Sequence, residues 1–223
     1  MRLGFYINPA IKLRSGSSSN EPDPTVVSSL AEISGAEIIL VGWNPSGGLI
    51  TKLDVQLLRN VVKCDIIFIV PNLVDHVNAV VKLRPSGVAI VGETWDGVSS
   101  EVPPINEYDM DDISPTLKEY KDAGVPASIW IEPDIDLVKS VARLYGDGVV
   151  LDCGSYSNSE TDAEAASTLS ALDNASMAAS KFGLVTAYSH GLHYRNIGPI
   201  AGLQFGDEIY IGNAIICHSI VHG

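Results

Sequence analysis

Basic side chains are scarce in this sequence. Lys and Arg number 14 against 27 Asp and Glu, for a formal charge of −13. That balance excludes binding led by a nucleic-acid backbone, where affinity comes from neutralising phosphates with cations. A small anion stays admissible, because backbone N–H groups and helix N-termini do not enter the net charge. Cysteine is scarce too. Cys64, Cys153 and Cys217 are odd in number and show no C-x-x-C or Cys/His spacing. A disulfide framework or a zinc site is therefore not expected, and the three fit buried thiols of a reducing compartment. No apolar run approaches the ~20 residues that span a bilayer. The first one ends at Pro9 and is too short for a signal peptide. Charged residues make up only 18% against 46% hydrophobic, which excludes disorder as the main state. The expectation is a cytoplasmic protein with no membrane, nucleic-acid, metal or cofactor partner.

What is present is a repeating alternation. The 223 residues suffice for one sizeable core, long for a sandwich and usual for an α/β barrel. Short apolar runs predict strands at Leu3–Ile7, Ile38–Trp43, Asp65–Val70, Ser86–Val91, Ala127–Glu132, Gly148–Asp152, Leu184–Tyr188 and Glu208–Ile211. Helical spacing fills the intervals. Val26–Ile33 opens on Asp23 as N-cap and Pro24 at the first helical position, and Gly35 closes it. Thr51–Val61, Asn72–Lys82, Ser114–Ala123, Asp136–Leu144 and Thr161–Phe182 follow, with short helices near Asn196–Ala201 and Ala214–Val221. Strands separated by helices imply right-handed crossovers and a parallel sheet, and strands apolar throughout imply two covered faces. About eight such units favour a single-domain (β/α)8 TIM barrel over residues 1–223, with a doubly wound open sheet as the competitor. The chain given stops just after the last short helical segment, so the eighth strand is expected to lack a full-length covering helix. The apolar flank this leaves predicts a homo-oligomer.

In a barrel the site lies at the C-terminal ends of the strands. Those ends carry Tyr6 and Asn8, Asn44, Glu93, Glu132, Asp152, Ser189-His190-Gly191 and Gly212-Asn213. His190 is the leading candidate for acid–base work, since its ordinary pKa lies near working pH; the alternative is a loop histidine with a hydrogen-bonded ring. Gly212 before a helix start offers amides to an anion, or else merely allows a turn that Asn213 caps. Glu93, Glu132 and Asp152 are candidate partners for acid–base chemistry, or else loop residues and caps, and no spacing among them specifies a metal. Cys153 has no visible base and reads as an inert thiol. Trp43 and Trp95 either wall a pocket or pack.

Several segments, specific in combination, carry a resemblance that runs from Leu3 to Gly223. They are Pro22-Asp23-Pro24, Leu49-Ile50-Thr51 with Asp54-Val55, Gly154-Ser155-Tyr156 with Thr161-Asp162-Ala163-Glu164, His190-Gly191-Leu192 with Tyr194 and Asn196, and Ile211-Gly212-Asn213-Ala214-Ile215-Ile216. On these the chain resembles the pyridoxine 5′-phosphate synthase family. The resemblance implies a (β/α)8 enzyme that condenses 1-deoxy-D-xylulose 5-phosphate with 3-amino-2-oxopropyl phosphate. It further implies a base histidine, a glutamate, an acid histidine and basic side chains for two phosphates.

Position by position, part of that set is replaced. Where the family's first strand ends in Asn-x-Asp-His, this chain has Tyr6, Asn8 and Pro9. Where the second ends in His-x-Arg, it has Gly42 and Asn44. Leu49, Ile67 and Val150 replace a loop histidine and two glutamates, and Ser17 approximately replaces a first-loop arginine. Retained are His190 in the place of the acid histidine, Gly191 after it and Gly212 of a phosphate site. Asn213 replaces the next histidine, and Ser99 stands where a threonine contacts the sugar phosphate. A neutral Asn44 does not replace a bidentate guanidinium, and losing a base removes ~10²–10⁴-fold of rate. The expectation is that the family's own mechanism is not used. Three readings stand open: a repurposed enzyme acting on a small anionic metabolite, a non-catalytic ligand-binding or partner subunit, and a working synthase.

Overall fold

A computed structural model describes residues 1–15, 21–99 and 101–222. Ser17, expected in place of a phosphate-binding arginine, lies outside the described residues. Eight parallel strands close into a barrel in chain order. They are β1 (Arg2–Tyr6), β2 (Ile38–Gly42), β3 (Asp65–Pro71), β4 (Gly87–Val91), β5 (Ala127–Ile131), β6 (Gly148–Asp152), β7 (Val185–Ser189) and β8 (Glu208–Ile211). Closure is direct: Arg2 to Phe5 of β1 pair with Glu208 to Ile211 of β8. The chain is thus a TIM barrel, not an open sheet.

Helices α1 (Asn8–Ile11), α2 (Pro24–Ile33), α3 (Lys52–Val61), α4 (Val77–Val81), α5 (Ser114–Asp122), α6 (Ile135–Arg143), α7 (Gly154–Ser157), α8 (Asp162–Lys181), α9 (Ile197–Ala201) and α10 (Asn213–His222) surround it. Local chemistry explains their starts. The Asp23 carboxylate accepts from the Thr25 amide, while Thr51 and Thr161 form capping boxes with Asp54 and Glu164. The helix expected over Asn72–Lys82 starts late. The Asn72 amide donates to Val91 O at 2.9 Å, which holds the chain on the strand ladder, and a 3-10 turn at Val74–His76 precedes α4. The short α1, a 3-10 turn at Lys12–Arg14 and α7 are additions that no apolar period signals.

Side chains alternate across each strand. One phase fills the lumen with Leu40, Ile69, Val91, Trp130, Val150, Ala187 and Tyr210, and Tyr6 packs against them. The other phase meets the helices, as with Phe5, Ile39, Phe68, Ile129 and Ile209. The inward phase decides the site, because it aims Tyr6, Gly42, Trp130 and Asp152 at the barrel mouth.

The last helix has ten residues, as many as α2 and α3. Cover, not length, is what is incomplete. None of its residues is buried, and an apolar groove of about 250 Å³ runs between it and α2, lined by Leu3, Phe5, Val27, Ile215 and Ile216. Leu30, which also lines the groove, Val26 and Ile33 of α2 are exposed, as are Leu53, Leu57 and Val61 of α3. Among the described residues no helix is long and apolar enough to cross a membrane.

Candidate functional site

Asp152 ends β6 and His190 follows the last residue of β7. The register pairs Asp152 with Ser189, so the imidazole needs to reach only one residue back to meet the carboxylate. His190 Nδ1 lies 3.0 and 2.9 Å from the two oxygens of Asp152. The carboxylate is buried and otherwise receives only donors: Trp130 Nε1–H at 2.8 Å on Oδ2 and the Gly154 amide at 2.7 Å on Oδ1. Since the carboxylate accepts from its other neighbours, its bond with His190 is read as Nδ1–H donating to Asp152. Nε2 is then the nitrogen free to exchange a proton with a ligand. The hydrogen bond to Asp152 raises the His190 pKa above its ordinary 6.5, and partial burial opposes it.

Backbone geometry serves this pair. His190 has φ 79° and Gly191 φ 69°, two successive left-handed residues. For histidine that conformation is uncommon and is found at sites where surrounding contacts impose it. A Cβ on Gly191 would sit 1.9 Å from Ser157 Oγ, so only glycine fits. A Cβ on Gly154 would lie 2.8 Å from Asp152 Oδ1 and 3.0 Å from His190 Nδ1. The bare backbone of α7 is therefore what allows the carboxylate and imidazole to meet.

His190 opens onto a cavity of about 370 Å³ shared with Tyr6, Trp130, Gly191, Gly212 and Asn213. Gly212 and Asn213 bring the N-terminal end of α10 to its wall, where amides without intrahelical acceptors favour an anion. A Cβ on Gly212 would lie 2.8 Å from Tyr6 O, so the loop approaches β1 closely at that point. A smaller cavity of about 190 Å³ shares Tyr6, Pro9 and Asn213 and adds the exposed Lys12.

The remaining candidates are placed elsewhere or occupied. Glu132 is exposed on a separate outer groove with Asn106 and Asp134. Partial desolvation, then Asp152, raises its pKa, while His190 opposes the rise. Glu93 is exposed and makes no hydrogen bond among the described residues. Asn8 is buried and its amide is used up, donating to Gly42 O at 3.0 Å and Gly97 O at 3.2 Å and accepting from Gly42 N at 2.9 Å. Asn44 donates to Trp95 O and accepts from the Ser46 amide. Ser99 accepts from Trp95 Nε1 on its carbonyl and from the Glu101 amide on its hydroxyl. Cys153 is buried, which pushes its thiol pKa up. Among the described residues no cluster of three or more His, Cys, Asp and Glu could hold a metal ion.

Gly42 ends β2 with no free space beside it. A Cβ there would lie 2.5 Å from Asn8 Nδ2, 2.7 Å from Trp95 and 2.8 Å from Tyr6 Oη. The room for a side chain at the end of β2 is filled by three residues from other segments.

Sequence reasoning missed Trp130, Lys12 and His193. Trp130 lies on the inward phase of β5, so period-two counting carries its signal. His193 lines the His190 cavity and accepts the Arg195 amide on Nδ1 at 3.2 Å. Lys12 follows a helix too short for any periodicity.

A pyridoxine 5′-phosphate synthase of Syntrophotalea carbinolica is 30% identical, covering 99% of this chain and 92% of the relative. One of Thermodesulfovibrio yellowstonii is 28% identical, covering 99% and 91%. Among solved structures, the tryptophan synthase α-subunit of Pyrococcus furiosus superposes with a TM-score of 0.61 at 10% identity, covering 100% of this chain and 91% of that one, a likeness of fold alone. The family profile described as pyridoxal phosphate biosynthesis protein PdxJ matches residues 3–223, and the chain belongs to that family.

Proposed function

We propose that this member of the family acts by acid–base chemistry on a small phosphorylated or carboxylated metabolite, with His190 as general acid or base. The observation that carries this reading is the Asp152–His190 pair, buried at its carboxylate end and open at its imidazole end onto one cavity with Gly212. Asp152 orients the ring and stabilises its protonated form, so the same Nε2 takes and returns a proton. Gly191, Gly212 and Asn213 supply amides for the anionic group, and Lys12 in the adjoining cavity supplies a cation. Glu132 tunes the pair through its field, and Glu93 has no part in it.

The filled space at Gly42 argues against the family's own mechanism, because the base cannot be housed there. The family match over residues 3–223 favours one second reading, an active synthase. A homo-oligomer belongs to the proposal as well, through the exposed stripes of α2 and α3 and the groove beside α10. So does a cytoplasmic setting, since Cys64, Cys153 and Cys217 are free thiols.

The test is mass spectrometry of small molecules retained by the native protein, then turnover of any that is found. Conversion by the native chain that His190→Asn abolishes supports the reading. Formation of pyridoxine 5′-phosphate from the two family substrates at an ordinary rate replaces it with the second. Tight binding with no conversion turns it into a ligand-binding subunit.

A further inference from the structure

The chain has 5 histidines, and most of them are engaged. His190 meets Asp152, His193 accepts the Arg195 amide, and His76 shares a hydrogen bond with Ser46. The other two, His218 and His222, stand four residues apart on α10. Side chains at that spacing lie on one helix face, one turn above the other. Both are exposed, and neither ring makes a hydrogen bond or ion pair among the described residues. Their ring centroids are 4.3 Å apart. Tyr194, on the loop that follows His190, packs on His218 with centroids 4.6 Å apart.

We infer that His218 and His222 form a two-histidine site for a divalent transition cation of the zinc class, with water in the remaining coordination positions. Each neutral imidazole offers a nitrogen lone pair, and the helix sets the distance between them. Two nitrogen ligands about 2.0–2.1 Å from one tetrahedral ion place their ring centroids about 5 Å apart. Small turns of two exposed side chains reach that spacing from the observed one. Helical zinc sites carry their two histidines at this same i, i+4 interval. Imidazole nitrogen suits zinc, nickel or copper, whereas magnesium and calcium take oxygen ligands. Among the described residues no third His, Cys, Asp or Glu joins the pair, so the site is an open one. Its place gives it a consequence. α10 buries none of its residues, yet Asn213 at its start lines the His190 cavity. A cation held across one turn stabilises the folded helix by mass action. Through the contact of His218 with Tyr194 it also fastens that helix to the loop after β7.

The test is calorimetric titration of the full chain with zinc chloride, repeated with magnesium chloride, while NMR follows the histidine ring signals. A single zinc ion is expected to bind per chain, with no binding of magnesium, and the signals of His218 and His222 move while those of His76, His190 and His193 stay. Because both rings are exposed, His218→Gln and His222→Gln keep the metal-free melting temperature of the native chain. Each weakens zinc binding by roughly tenfold or more, at least what the loss of a ligand's supporting contact costs. Zinc raises the melting temperature of the native chain but not of either variant. His222→Gln combined with Ile220→His keeps two histidines but sets them on different helix faces, and it does not restore binding. Cys217→Ser, at the exposed thiol next in sequence, binds zinc as the native chain does. The inference is overturned by a native chain that does not take up zinc, by single variants of unchanged affinity, or by recovery in the Ile220→His double variant. Loss of binding in Cys217→Ser, or ring shifts confined to His190 and His193, overturns it as well, since the ion then sits in the cavity.

Discussion

Trp130 and His190 reach the same carboxylate from the two strands that flank β6. Trp130 Nε1 on β5 donates to Asp152 Oδ2 at 2.8 Å, and His190 Nδ1 after β7 lies 2.9 Å from that oxygen. With the indole and the Gly154 amide holding Asp152 still, the imidazole has one productive orientation. A histidine so held is preorganised, and its Nε2 is the free end.

Replacing Asp152 by Asn tests this arrangement through pH. The hydrogen bond to Asp152 raises the His190 pKa, so Asp152→Asn moves the His190 midpoint back toward or below about 6.5. Titration of the imidazole by NMR reads the shift. An unmoved midpoint contradicts the assigned pairing.

The same shift has a consequence for stability. A histidine whose folded pKa exceeds its unfolded value contributes stability that is fully present below the unfolded pKa and is lost as pH rises through the folded one. The stability difference between the native chain and His190→Gln is therefore largest below about pH 6.5 and shrinks above it. Urea unfolding across this range measures the difference.

Gly191→Ala forces a side chain into a left-handed residue and against Ser157 Oγ. The expected loss exceeds ~1 kcal/mol, or a fall of roughly 2–4 °C or more in melting temperature. Serine 157 changed to glycine relieves the contact but not the backbone, so Ser157→Gly/Gly191→Ala recovers only part of the loss.

Asn8→Ala leaves Gly42 N, Gly42 O and Gly97 O without their partner. Each buried group left unpaired costs about 1–3 kcal/mol, so the variant is strongly destabilised, and calorimetry reads it. A stable Asn8→Ala protein removes the clasp between β1, β2 and the loop after β4.

Leu30→Glu with Ile33→Lys places charges on the exposed stripe of α2. Sedimentation at micromolar concentration is expected to show the native chain as an oligomer and the variant as a smaller species. A native monomer contradicts the proposed use of that face.

The alternation of short apolar runs and amphipathic segments by itself determined the barrel, with every strand bound within one residue of its expected place. That pattern is local: period two and period 3.6 are properties of neighbouring residues, and closed parallel topology follows from their repetition. His190 and Gly212 were legible for the same reason, since each sits one step past a strand. Only the tertiary structure decided which carboxylate serves His190. Asp152, Glu132 and Glu93 look alike in the chain, and cross-strand register chose Asp152. Only folding could show that Tyr6, Asn8 and Trp95, brought together from two distant stretches of the sequence, fill the space beside Gly42. Packing of that kind depends on side-chain volumes meeting across the lumen, and no spacing along the chain encodes it.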